Sequence, residues 1–116
     1  MEIPHDAVVL RIFIGEDDKF QHQPLYQAIV LKAREMHLGG ATVLRGQAGF
    51  GHSSRLHTTK ILRLSQDLPI VVEIVDSEER INVFLPVLDA MMGSGLVTLE
   101  HVQVLQYGNS TIHSHP

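Results

Sequence analysis

Apolar and polar positions first show a clear period between Ala7 and Ile14. Val8, Leu10, Ile12 and Ile14 fall on one face of an extended segment, and Ala7, Val9, Arg11 and Phe13 on the other. A period of two predicts a β-strand, with Met1 to Asp6 as a loose entry and Gly15 as the stop. Glu16, Asp17 and Asp18 then form an acidic run, expected as a solvated turn. The period changes at Pro24, which suits the first turn of a helix because its missing N–H is not needed there. Leu25, Ala28, Ile29, Ala33 and Met36 recur at helical spacing through His37, and Gly39 and Gly40 supply the stop.

Ala41 to Leu44 predicts a second strand that runs straight into a glycine-rich stretch, and Ile61 to Leu64 a short further strand. Pro69 opens the run I-V-V-E-I-V, a buried strand from Ile70 to Val75. Asp76 is the expected N-cap of a second helix, with Glu79 three residues on completing a capping box. That helix buries Ile81, Phe84, Leu85, Leu88 and Met91. It is expected to kink at Pro86, whose ring clashes with the carbonyl of Asn82. Gly93 and Gly95 end it, and the last strand lies within Leu96 to Tyr107, with an interruption near His101.

The order is therefore β-α-β, glycine loop, β-α-β. Two such halves in one small domain predict a ferredoxin-like α+β fold, a four-stranded antiparallel sheet with both helices on one face. All 116 residues are expected to form one domain, with a core of about 7–107 and a flexible tail at 108–116. Two helices cover one side of the sheet only, yet the first strand is apolar on both faces. Along Ile70 to Val75 only Glu73 offers a polar group on the second face. A free chain would expose a broad apolar surface, so the sheet is expected to bury itself against other copies.

Composition narrows the classes. Hydrophobic residues make up 44% and charged residues 19%, as in a folded globular protein. No apolar run approaches the roughly 20 residues needed to span a bilayer, and no signal-peptide core is evident at the start. Cysteine is absent, which removes disulfide and thiolate chemistry. A formal net charge of −4 argues against general nucleic-acid binding. The expected location is the cytoplasm.

The chemistry concentrates between Val43 and Lys60. Gly46, Gly49 and Gly51 permit positive φ and close approach of a ligand to the backbone, and successive N–H groups there can cradle an anion. Arg45, His52, Arg55, His57 and Lys60 flank them in an otherwise acidic chain. This pattern points to a bound anion such as phosphate; a mobile surface loop with solvated charges is the alternative. Gln47 to Leu56 is expected to be mobile alone and ordered by an effector.

Several segments together carry a resemblance. They are I-G-E-D-D at Ile14 to Asp18, P-L-Y at Pro24 to Tyr26, A-T-V-L-R-G-Q-A-G-F-G at Ala41 to Gly51, D-L-P-I-V-V-E-I-V-D at Asp67 to Asp76 and G-L-V-T at Gly95 to Thr98. They closely resemble the small bacterial and archaeal proteins called domain of unknown function 190, from about Ala7 to Tyr107. That family is similar in fold to the PII signal-transduction proteins. The resemblance implies a homotrimer with an adenine nucleotide (AMP, ADP or ATP) as effector, bound in clefts between subunits. It implies a regulated partner as well, a membrane transporter, a channel or an enzyme. By the same resemblance the phosphates lie against Arg45, Gly46, Gly49, Phe50, Gly51, Arg55, His57 and Lys60, and against the turn Gly93-Ser94-Gly95. Two departures stand out: PII proteins carry a lysine after that turn, where this chain has Leu96, and their tyrosine-bearing loop tip is not recognisable. The missing lysine makes a mono- or diphosphate, or another small anion, as reasonable a ligand as a triphosphate. Binding of 2-oxoglutarate does not carry over.

Other chemistries are weaker. Eight histidines raise a divalent-metal site, with His52 and His57 as candidate ligands and the copper-tolerance proteins as a fold analogy, but no spacing supplies three converging ligands. His113 and His115 belong to the tail. Ser53 or Ser54 with His57 and Asp67 would be the parts of a small hydrolase, without a nucleophile elbow to organise them. The glycine spacing is neither a Walker loop nor a dinucleotide fingerprint. Tyr26 and Phe50 are the aromatic candidates for a base ring. The expected function is therefore a regulator rather than an enzyme, with the metal-binding trimer and the hydrolase as alternatives.

Overall fold

A computed structural model describes residues 3–47, 49, 68–109 and 112 of the chain. Strand β1 (Asp6–Gly15) leads to a short hairpin, β2 (Lys19–Phe20) and β3 (Gln23–Pro24), and then to helix α1 (Leu25–Glu35). After β4 (Ala41–Arg45) come β5 (Pro69–Asp76), helix α2 (Glu78–Met91) and β6 (Leu96–Gln103). The four long strands form one antiparallel sheet in the order β4-β5-β1-β6. This is the expected ferredoxin-like topology. The short strand expected at Ile61 to Leu64, the loop from Gly51 to Asp67 and the extreme tail lie outside the described residues.

One face of the sheet makes the core. Val8, Leu10, Ile12 and Ile14 of β1 and Ile70, Val72 and Ile74 of β5 pack with Leu25, Ala28, Ile29 and Ala33 of α1 and with Ile81, Phe84, Leu88 and Met91 of α2. The alternation in sequence is thus a record of which side chains meet the helices.

The opposite face is organised by register. Leu44, Val71, Phe13 and Leu96 stand opposite one another as a continuous apolar row across all four strands; its two ends are open, with Leu44 49% and Leu96 54% exposed. The next row is Thr42, Glu73, Arg11 and Thr98. Arg11 Nε donates to Glu73 at 2.8 Å and Nη1 to Glu100 at 2.6 Å. Those bonds, to Glu100 first and Glu73 second, raise the pKa of the guanidinium further above its ordinary value. Val9 is nevertheless buried, as is Ala7. The chain ends run near this part of the sheet: Val104 N–H donates to the His5 carbonyl at 2.7 Å, and Tyr107 O–H to the Gly39 carbonyl at 2.8 Å.

Local details depart from the sequence reading at four points, while Pro86 sits inside its helix as expected. Pro24 precedes α1 as its N-cap rather than filling the first turn. The helix stops at Glu35, not through Gly39 and Gly40 but through His37, which takes φ +60°. His37 N–H donates to Arg34 O and Leu38 N–H to Ala33 O, the paired bonds of a Schellman stop. Asp76 is the last residue of β5; Ser77 caps α2, its hydroxyl accepting from Arg80 N–H at 3.2 Å. Helix α2 continues through Pro86 to Met91. Finally, β6 runs unbroken past His101 to Gln103, paired throughout with β1.

Candidate functional site

The topology gathers several predicted site residues at one end of the sheet. Strands β1 and β4 finish there and β5 begins there, so Gly15 faces Pro69 and Arg45 faces Ile70. Past the last ladder pairs, Glu16 N–H donates to Leu68 O and Gly46 N–H to Pro69 O, both at 2.8 Å. Gly49 returns to the same corner: a Cβ built on it would lie 3.5 Å from Pro69 Cγ, and its φ of +144° is one that side chains with a Cβ resist. Arg45, Gly46 and Gly49 therefore share one corner of the sheet.

Arg45 has a partner that sequence reasoning missed. Its Nη2 lies 2.5 Å from Glu16 Oε2, with the arginine side chain 54% and the glutamate 24% exposed. The acidic run is thus not simply a solvated turn. Glu16 pairs with Arg45, and the Asp18 carboxylate accepts from Gly15 N–H at 2.9 Å. The signal was present but indirect: I-G-E and L-R-G both mark strand ends, and only the strand order places those two ends side by side.

The second predicted phosphate contact, Gly93-Ser94-Gly95, lies at the same end but at the far edge. Gly95 packs against Phe13 O and Ile14 on β1, with φ +146°. The row Arg45, Ile70, Ile14 ends beside it, so three strand spacings, roughly 14 Å, separate the two corners within one chain. Tyr26 packs partly buried against the core. Phe50, Gly51, His52, Arg55, His57 and Lys60 lie outside the described residues, as do Ser53, Ser54 and Asp67. Among the described residues no group of three His, Cys, Asp or Glu side chains converges on a point that could hold a metal ion, and no helix is long and apolar enough to cross a membrane.

Residues 7–104 match the family model for domain of unknown function 190, described as "Uncharacterized ACR". The chain belongs to that family. Two relatives agree with the match. A UPF0166 protein of Aquifex aeolicus is 42% identical over 97 residues, covering 84% of this chain and 91% of its own. Another, from Methanocaldococcus jannaschii, is 35% identical over 99 residues with the same coverage of each. Among solved structures the chain is similar in fold to CPII of Thiomonas intermedia K12. The form bound to ADP, AMP and acetate matches with a TM-score of 0.54 at 17% identity, over 90% of this chain and 92% of that one. The form bound to ADP and bicarbonate gives 0.53 at 19% identity, over 85% and 88%. The fold of this domain of unknown function 190 protein is accordingly PII-like.

Proposed function

We propose that this domain of unknown function 190 protein is a PII-like regulator that binds a small phosphate-bearing effector, an adenine nucleotide, at the corner formed by Arg45, Gly46 and Gly49. The observation that carries this reading is a cation beside a positive-φ glycine at one end of a PII-like sheet. A guanidinium supplies charge-assisted, two-pronged bonds to phosphate, and a glycine backbone lets the ligand come close. The fold-level likeness to a protein solved with ADP and AMP supports the choice of nucleotide over other anions.

The working unit under this proposal is a homotrimer. Assembly is supported by the row Leu44, Val71, Phe13, Leu96, an apolar band that one chain leaves half open, and the number three rests on the resemblance to PII proteins alone. In a ring of copies, the Gly93-Ser94-Gly95 edge of one chain can approach the Arg45 corner of the next. The regulated partner, a transporter, a channel or an enzyme, would then read whichever form of the trimer the nucleotide selects.

The test is thermal unfolding of the purified protein with AMP, ADP, ATP, adenosine, or divalent copper or zinc. A ligand that prefers the folded state raises its melting temperature by mass action. Stabilisation by nucleotides and not by adenosine supports the proposal; stabilisation by metal ions alone would replace it with the metal-binding trimer.

A further inference from the structure

The ion pair at the proposed site gives it a property that the cation alone does not imply. Arg45 Nη2 and Glu16 Oε2 are 2.5 Å apart. Both are carried on tied-down backbone: Glu16 N–H is bonded to Leu68 O, Gly15 N–H to the Asp18 carboxylate, and Gly46 N–H to Pro69 O. The carboxylate is the less exposed partner, at 24% against 54%. An arginine fork already engaged by a carboxylate does not meet phosphate with all its donors free. An incoming anion must displace Glu16 or bind beside a like charge.

We propose that Glu16 is the affinity-setting residue of this site, a resident counter-ion of Arg45 that the effector's phosphate displaces. The inference rests on the nucleotide reading given above. It makes the carboxylate a fixed handicap for every ligand that engages Arg45 through phosphate, and none for a ligand that lacks one. Exposed ion pairs of this kind are worth 0.2–1 kcal/mol, so removing the competitor should tighten binding by up to about five-fold.

The experiment is a double-mutant cycle by calorimetry with ADP, AMP and adenosine, using wild type, Glu16→Gln, Arg45→Ala and the double variant. Glu16→Ser is run alongside, because a glutamine amide oxygen can itself accept from Arg45. The expected result is tighter ADP and AMP binding, about two- to five-fold, in Glu16→Gln and Glu16→Ser. Adenosine affinity is expected to stay unchanged, and the Glu16 effect to vanish once Arg45 is alanine. Weaker nucleotide binding in both Glu16 variants would overturn the inference, since Glu16 would then be a positioning residue that the bound state needs. An equal gain in the Arg45→Ala background would also overturn it, because the effect would be general charge and not competition for Arg45. Nucleotide affinity that ignores Arg45→Ala would refute the site reading itself, and is distinguishable from both.

Discussion

Replacing Asp76 by alanine separates two readings of the same residue by magnitude. As a helix N-cap, the role its position before Glu79 suggests, its loss would cost about 1 kcal/mol. The structure assigns it something heavier. Asp76 is fully buried, and its carboxylate accepts from Ser77 N–H at 2.7 Å and from Gly39 N–H at 2.9 Å. It also faces Arg80 Nε at 3.2 Å. Arg80 in turn donates through Nη2 to the carbonyls of His37 and Met36, where α1 ends. One carboxylate therefore joins the end of β5, the start of α2 and the exit of α1. Asp76→Ala strands two backbone donors, each unmet group costing about 1–3 kcal/mol, and removes the partner of a guanidinium that is itself 34% exposed. The expected loss is about 3–5 kcal/mol, a large share of the ~5–15 kcal/mol that holds a domain together. Ser77→Ala, the true cap, should cost only about 1 kcal/mol. Urea unfolding of the three proteins at neutral pH, with a common slope, measures both. Equal losses near 1 kcal/mol in the two variants would refute the hub and restore Asp76 to an ordinary cap.

Other expectations follow from the two sheet faces and the glycines. Phe13→Asp sets a carboxylate in the centre of the apolar row and should drive the proposed trimer to monomers by light scattering at micromolar concentration, because the unpaired charge would cost several kcal/mol to bury; a wild type that is already monomeric, or a variant that stays assembled, would refute burial of that face. Val72→Asp lies on the helix-covered face and should unfold the chain outright, so persistence of folded protein in circular dichroism would contradict the core assignment. Gly95→Ala should cost well over 1 kcal/mol in urea midpoint, since its Cβ would meet Phe13 O at 2.8 Å on top of the φ strain. Among the described residues Gly49→Ala meets Pro69 Cγ at 3.5 Å and should cost less; the reverse order would contradict the turn geometry.

The fold was legible because strand and helix periods are long here and uninterrupted. Ala7 to Ile14 and Ile70 to Val75 are long apolar runs rich in β-branched residues and bounded by Gly15 and Pro69, and Leu25 to Met36 keeps its helical stripe, so the element order was readable from the sequence. What escaped depends on local backbone states that composition does not encode. Gln21 and His22 both take positive φ to turn the β2–β3 hairpin, a pair of residues without the Asn-Gly signature such turns favour. His37 does the work expected of Gly39 and Gly40, and Gly39 is instead needed for space: a Cβ there would clash with Ile3 and lie 2.9 Å from Val75 O. The candidate site was half legible. Arg45 and its glycines announce an anion by type and spacing, whereas the contact with Glu16 joins strand ends that only the sheet order brings together.

The most direct test of the central claim is a calorimetric titration of ADP into wild type and Arg45→Ala. Arg45 and Glu16 are partly exposed, so the variant should keep its urea midpoint to within about 1 kcal/mol. Its ADP affinity should fall by about 1.5–3 kcal/mol, roughly ten- to 150-fold, the worth of hydrogen bonds to a charged group. A wild-type protein that does not bind ADP, or a variant that binds it equally well, would contradict the account.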